Sequence, residues 1–420
     1  MTRRGGPEQP PARLGAGRHI TAREIPDRTV STLHELTTSD GAKVAGVLRV
    51  VPGARTVVVL MHPRQDFTHH VMVPELLARG AAVWTQGSRS VNNDLNLLHE
   101  QTVLDLGAGL VFLRDAGFDQ VVTLGHSGGG TLTALYHQQA GLPPAERISR
   151  TPGGRPVDLG GAPLPLPDAA VFLAPHPGQG ALLARLIDPS VTDESDPLSI
   201  DPDLDPYAPA NGFAEPPAPS SYAPGFVTRY RAAQRERLAR IDARARELVA
   251  EADAARRSHR RSGSAADRRR SLAPRIITVH RTDADLRGVD PTLDPNERPY
   301  GSLFGSRPDL INYGLVGFGR LSTPQAWLST WSGISTHADL LRCAPGVTAP
   351  TLLVELTGDQ ASFPAEARAM TDALGATDRT HRRVRGLHFG GPIGAGEPTG
   401  SGLAAEVIGA WLKERFPLAD

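Results

Sequence analysis

What constrains the fold of this chain most is a series of short apolar runs separated by stretches of helical character. Thr56–Met61 (TVVVLM) is a continuous β-branched run with no polar alternation, the mark of a strand buried on both faces of a sheet. Residues 121–124 and 169–174 (AAVFLA) repeat the pattern, and Thr351–Leu356 (TLLVEL) returns to it late in the chain. Between them, 70–79, 98–116 and 129–139 can form helices, and 81–85 a further strand. A hairpin is signalled ahead of this rhythm, where 29–37 and 43–51 alternate around Ser39-Asp40-Gly41. Strands alternating with helices imply βαβ crossovers and a mostly parallel sheet covered by helices on both faces, an α/β fold.

The rhythm breaks once, and for a long way. Residues 187–220 are dominated by Asp, Pro and Ser and read as irregular. Residues 225–259 read as an arginine-rich helix, 275–280 as a strand, 287–307 as turns, and 324–332 as a short helix with two tryptophans. Alternation resumes with Thr351–Leu356, a helix over 365–374, a strand over 380–384 and a closing helix over 403–416. The expected organisation is a disordered tail over 1–25, rich in Pro, Gly and Arg, a sheet core over 26–184 and 345–420, and a large, mainly helical insertion over 185–344.

Gly125-His126-Ser127-Gly128-Gly129 lies directly after the 121–124 strand and directly before a helix. A serine hydroxyl is a poor nucleophile unless a base takes its proton and the developing charge is stabilised. G-x-S-x-G places the serine on a strained strand-to-helix turn, where small neighbours let backbone approach closely. A phosphate-binding loop is the competing reading, but no Lys follows the glycines and GHSGGG is not G-x-G-x-x-G. Ser127 is therefore the expected nucleophile.

A nucleophile on such a turn is followed along the chain by an acid and then a histidine. Asp359 follows Thr351–Leu356 immediately, in Thr357-Gly358-Asp359, and is the expected acid. His388, between Gly386 and Gly390 near the C-terminus, is the expected base, with His381 in a polar run as its rival. An oxyanion hole needs two donors. Gly128, after the nucleophile, supplies one amide. Pro63 has no N–H, so Arg64 is the expected second donor, with Gln65 next. His69 and His70 read as helix-start residues. With a single cysteine, Cys343, and no ligand spacing, no metal site is expected.

GHSGG after one strand, HPRQDF after an earlier one, TGD after a late one and GLHF near the end together resemble the α/β-hydrolase superfamily. The resemblance covers the sheet core and not the insertion. It implies an eight-stranded, mostly parallel sheet, a Ser127–His388–Asp359 triad and no cofactor. Many members read His-Gly where this chain has His62-Pro63.

An insertion at that point of such a fold lies over the nucleophile as a lid and shapes the pocket. Trp327, Trp331, Phe304, Tyr313 and Phe318 supply apolar material there, so a small-molecule substrate with an apolar or aromatic part is expected. His126, Gln65, Phe67, Trp327 and Trp331 are the candidate contacts. The arginine-rich stretch 229–270 is interleaved with acids over much of its length, which suits a solvated helix. Its end, 256–270, reads as a flexible loop that could take an anionic substrate tail. The 45 basic and 45 acidic residues cancel, which argues against nucleic acid. The absence of a long apolar run argues against a membrane span, so a cytoplasmic location is expected and a homo-oligomer is left open. The expected chemistry is cleavage of a carboxylic ester, lactone or thioester. Amide cleavage, diketone carbon–carbon hydrolysis and a non-catalytic binding role are the alternatives.

Overall fold

A computed structural model describes residues 24–419, so the tail expected over 1–25 lies outside the described residues except for its last two. β1 (Val30–Thr37) and β2 (Lys43–Val50) pair antiparallel around Gly41, whose φ of 84° suits a residue without Cβ. There follow β3 (Thr56–Met61), α1 (Met72–Leu77), β4 (Ala82–Gln86), α2 (His99–Asp115), β5 (Gln120–His126), α3 (Gly128–Gly141) and β6 (Ala169–Leu173).

The segment after β6 carries α4 (Gln179–Leu186), the 39-residue α5 (Pro224–Ser262) and α6 (Ala265–Leu272). It also holds the two-stranded ribbon of β7 (Ile277–Thr278) and β8 (Leu321–Ser322), and the short helices α7 (Pro308–Ile311), α8 (Pro324–Ala326) and α9 (Leu340–Cys343). The core closes with β9 (Thr351–Leu356), α10 (Pro364–Ala373), β10 (Arg379–Val384) and α11 (Gly400–Lys413).

One eight-stranded sheet runs in the order β1-β2-β4-β3-β5-β6-β9-β10. β2 pairs antiparallel with β4, and from β4 to β10 every neighbour is parallel. The apolar runs are the parallel strands because each must bury both faces. Val57 and Val59 point into a cluster with Leu106, Leu110, Leu132 and Met370. Val58 and Leu60 point the other way, against Met72, Leu76, Ile408 and Trp411. Each such fully buried Val or Leu stabilises the sheet by about 1.5–3 kcal/mol.

Three expectations about the insertion are corrected. Residues 256–270 are not a flexible loop: α5 runs to Ser262, Gly263 turns the chain at φ 69°, and Ser264 caps α6 by accepting from the Asp267 amide. The strand over 275–280 shrinks to Ile277–Thr278. The helix over 324–332 changes hand-over at Trp327, where Ser332 N–H donates to Trp327 O and makes a π turn over Trp327–Trp331.

The insertion is tied to the core by buried polar contacts. Arg287 donates to Glu366 Oε1 of α10 at 2.8 Å, and Ser329 donates to Glu100 Oε2 of α2 at 2.6 Å. Asn296 Nδ2 donates to the main-chain oxygen of Asp359 at 2.8 Å. The insertion therefore touches the loop that carries the expected acid.

Candidate active site

Ser127 sits between β5 and α3 with φ 56° and ψ −125°, a region that costs a non-glycine residue of the order of 1–3 kcal/mol. Close packing holds it there. A Cβ on Gly125 would stand 2.5 Å from Gly130 Cα and 2.6 Å from Gly129 O, and one on Gly129 would stand 2.8 Å from Met61 O. Backbone cannot yield at those distances, so the motif's glycines are a steric requirement of the turn.

The loop between β10 and α11 brings His388 to Ser127, with 2.9 Å between Nε2 and Oγ. The turn after β9 brings Asp359 to the other side of the ring, with Oδ2 at 2.8 Å from His388 Nδ1. Asp359 is fully buried, and its Oδ1 accepts from the amides of Ala361 and Ser362 at 2.6 and 3.0 Å. A carboxylate so held can only accept from Nδ1. The ring proton therefore sits on Nδ1, leaving the Nε2 lone pair for the Ser127 hydroxyl. The rival His381 lies on β10 and faces Glu355 Oε2 at 3.0 Å instead.

Gly128 N–H is the first amide of α3, where helix geometry supplies no intrahelical acceptor. The Arg64 amide expected beside it is not available, which corrects the sequence reading. Arg64 N–H and Gln65 N–H both donate to His62 Nδ1, at 3.0 and 2.9 Å, because the chain after Pro63 folds back onto that ring. The Arg64 guanidinium forms a bidentate pair with Asp94, at 2.7 and 2.5 Å, and covers the Trp331 ring at 4.6 Å.

The candidate contacts separate. Gln65 and Trp331 line the space at Ser127, with His62, His176, Gln179 and Phe318. That space leaves only about 10 Å³ for the centre of a water-sized sphere, room for about one water molecule. Trp327 does not reach it. Its ring lies in the insertion's own core with Leu238 and Ile241, and its Nε1 donates to Asp242 at 2.7 Å. Trp331, four residues on, packs in the same cluster and also reaches the space at Ser127. Phe67 and His126 also miss it. They line an adjoining surface depression of about 270 Å³ with His69 and His70, and Gln65 and Phe389 border both spaces.

His126 is instead part of a chain of hydrogen bonds that sequence reasoning missed. Met72 N–H donates to His70 Nδ1 at 3.2 Å, which leaves the His70 proton on Nε2. His70 Nε2 lies 2.7 Å from His126 Nδ1, and His126 Nε2 lies 2.8 Å from the main-chain oxygen of His388. Each ring accepts on one side and donates on the other, so the chain anchors the His388 loop from behind. Only the residue type at the variable position of the motif could have hinted at this.

Five histidines, His62, His99, His126, His137 and His176, are buried and His70 is half-buried, and desolvation lowers each below the ordinary 6.5. His99, His126 and His137 fall to about 4, and His176 to about 3. Below pH 6.5 the unfolded chain takes up protons that the folded chain refuses. Stability is therefore present above about 6.5 and lost as pH falls toward 4, at up to about 1.4 kcal/mol per pH unit for each ring. The thermal unfolding midpoint is expected to drop steeply from pH 7 to pH 5. A midpoint that stays level over that range would mean that these rings are hydrated.

Burial pushes the Cys343 thiol up to about 12, so at neutral pH it is not a nucleophile. Among the described residues no group of three or more His, Cys, Asp or Glu could hold a metal ion. No described helix is long and apolar enough to cross a membrane.

No family model matches the chain, and no curated protein matches it. Similar solved structures include DcsB in complex with its substrate analogue, 14% identical over 92% of this chain and 99% of that one, TM-score 0.48. The esterase domain of a Rhodothermus marinus protein is 10% identical over 92% and 99%, TM-score 0.42. The alpha/beta hydrolase GrgF from Penicillium sp. sh18 is 12% identical over 91% and 97%, TM-score 0.46. At such values these likenesses say nothing of chemistry, and the fold stands on its own strand order and register.

Proposed function

From the premise that the chain has the α/β-hydrolase fold, we propose that it is a serine hydrolase that cleaves a carboxylic ester, lactone or thioester through an acyl-enzyme on Ser127. The observation that carries this reading is the unbroken line from Ser127 Oγ to His388 Nε2, at 2.9 Å, and from His388 Nδ1 to Asp359 Oδ2, at 2.8 Å. Ser127 Oγ attacks the carbonyl carbon while His388 Nε2 takes its proton. The C=O electron pair moves onto oxygen, which becomes an anion beside the amide of Gly128. When that pair returns, the bond to the leaving group breaks and His388 gives the proton to it. Water then repeats the sequence on the acyl-enzyme and releases the acid. Asp359 holds the ring in the tautomer that can accept and stabilises the imidazolium.

The tight space at Ser127 favours a small acyl group, and the insertion, with Phe318 and Trp331, acts as the lid that closes it. No cofactor enters this scheme. The test is release of p-nitrophenol from p-nitrophenyl acetate, together with fluorophosphonate labelling of the folded protein. Turnover and one label per chain, located on the Ser127 peptide, are expected. A folded protein that takes no label on Ser127 has no activated serine there, and the reading fails.

A further inference from the structure

We infer that His62 is a catalytic residue: its Nε2–H is the second donor of the oxyanion hole, beside the amide of Gly128, in place of a backbone amide from the loop after β3. This rests on the reading of Ser127 as the nucleophile.

Four observations lead there. Both amides that could have served are spent, since Arg64 and Gln65 donate to His62 Nδ1 at 3.0 and 2.9 Å. A nitrogen that accepts two N–H groups carries no proton, so the proton of the neutral ring is on Nε2. That Nε2 has no hydrogen-bond partner among the described residues, and the ring lines the space at Ser127. A Cβ placed on Gly128 would stand 2.9 Å from His62 Nε2, and it would collide with the Gln179 amide. The donor therefore reaches the same side of the turn as the residue after the nucleophile, although the atom that a side chain on Gly128 would meet first is Gln179 Nε2.

The chemistry suits a neutral ring. His62 is 2% exposed and packs against Phe67 with ring centroids 5.1 Å apart, so its orientation is fixed. Burial, with the charges of Arg64 and His176 adding to it, holds its pKa well below 6.5. An imidazole that stays neutral donates a hydrogen bond to a developing oxyanion without giving up its proton. No proton moves to or from His62 in the cycle. The carbonyl oxygen gains the electron pair when the Oγ–C bond forms and returns it when the bond to the leaving group breaks.

Two near-isosteric variants separate this role from that of a staple for the loop. His62→Asn puts an oxygen where Nδ1 stood, so it keeps the acceptor for the Arg64 and Gln65 amides but loses the far N–H. His62→Gln extends an amide N–H to the Nε2 position but gives up the acceptor. With p-nitrophenyl acetate, His62→Asn is expected to lose about 10²-fold in kcat with KM within a few-fold, the loss typical of one missing oxyanion donor. His62→Gln is expected to recover most of that loss. Inhibition by a trifluoromethyl ketone, whose hemiketal carries the oxyanion, is expected to weaken in His62→Asn in step with kcat.

If His62→Asn keeps the kcat of the parent while His62→Gln loses it, His62 only holds the loop and the inference is overturned. If neither variant folds, the parent protein decides. On adduct formation with the trifluoromethyl ketone the His62 Nε2 proton resonance must move downfield, and a resonance that stays in place overturns the inference. A parent protein that forms no adduct on Ser127 defeats the underlying serine reading instead, which is a different failure.

Discussion

Ser127→Ala is expected to lower kcat by about 10⁴- to 10⁶-fold, because in the proposed mechanism one atom is both the nucleophile and the site of the covalent intermediate. The change removes only the hydroxyl that lies 2.9 Å from His388 Nε2. Alanine meets the same φ of 56° with a Cβ of its own, so the strain of the turn is retained and not relieved. The net stability lost with the single hydrogen bond is about 1 kcal/mol. Catalysis should therefore collapse in a protein that melts within a few degrees of the parent. The check is kcat on p-nitrophenyl acetate, corrected by titration with a fluorophosphonate so that traces of parent enzyme are counted. A variant that retains more than a hundredth of the parent rate would show that another group attacks the carbonyl.

The second large effect is expected at Asp359. Asp359→Asn keeps an oxygen for the amides of Ala361 and Ser362, now 2.6 and 3.0 Å from Oδ1, so the loop should stay in place. The amide nitrogen then takes the position of Oδ2 and faces His388 Nδ1. Two donors cannot face each other, so His388 shifts its proton to Nε2 and can no longer accept from Ser127. In triads of this kind the wrong tautomer costs about 10⁴ in kcat at neutral pH. Substrate binding is untouched by the swap, so KM should change little. A loss in KM with kcat preserved would mean that Asp359 shapes the pocket and does not orient the base.

Much of the sheet was legible in the sequence, for a physical reason. A parallel strand buried on both faces needs an unbroken apolar run, and Thr56–Met61 and Thr351–Leu356 begin and end where those runs do. The meeting of Ser127, His388 and Asp359 side by side was legible because the turn, its steric glycines and the chain order of the three leave their trace in residue type and position. Two of the misreadings have one cause in common. They concern which way a ring or an amide points, and that is decided by contacts distant in sequence. His62, read only as the residue before Pro63, accepts the Arg64 amide that was expected to serve the oxyanion, and the Gln65 amide that stood next to it. Trp327 and Trp331 read alike, yet one donates to Asp242 and the other lies under Arg64. The end of the arginine-rich stretch was misread for a different reason. Its charge suggested a loop, while Gly263, Ser264 and Asp267 already spelled a helix stop followed by a capped helix start.

The parallel pairing of β6 with β9 joins residues 170–173 to 351–354 across the whole insertion. Closing a loop of about 180 residues costs only about 0.6 kcal/mol more per doubling of its length, so the finished protein bears the interruption cheaply. The burden falls on the order of events. Ser127 is synthesised long before the strand and loops that carry Asp359 and His388. A nascent chain halted before Thr351 holds the serine turn without either partner. Such a chain also shows β6 as an unpaired apolar edge, a surface on which chains associate. If the proposed activity holds, its recovery after denaturation would thus time one event, the docking of the last segment onto a sheet left open at β6.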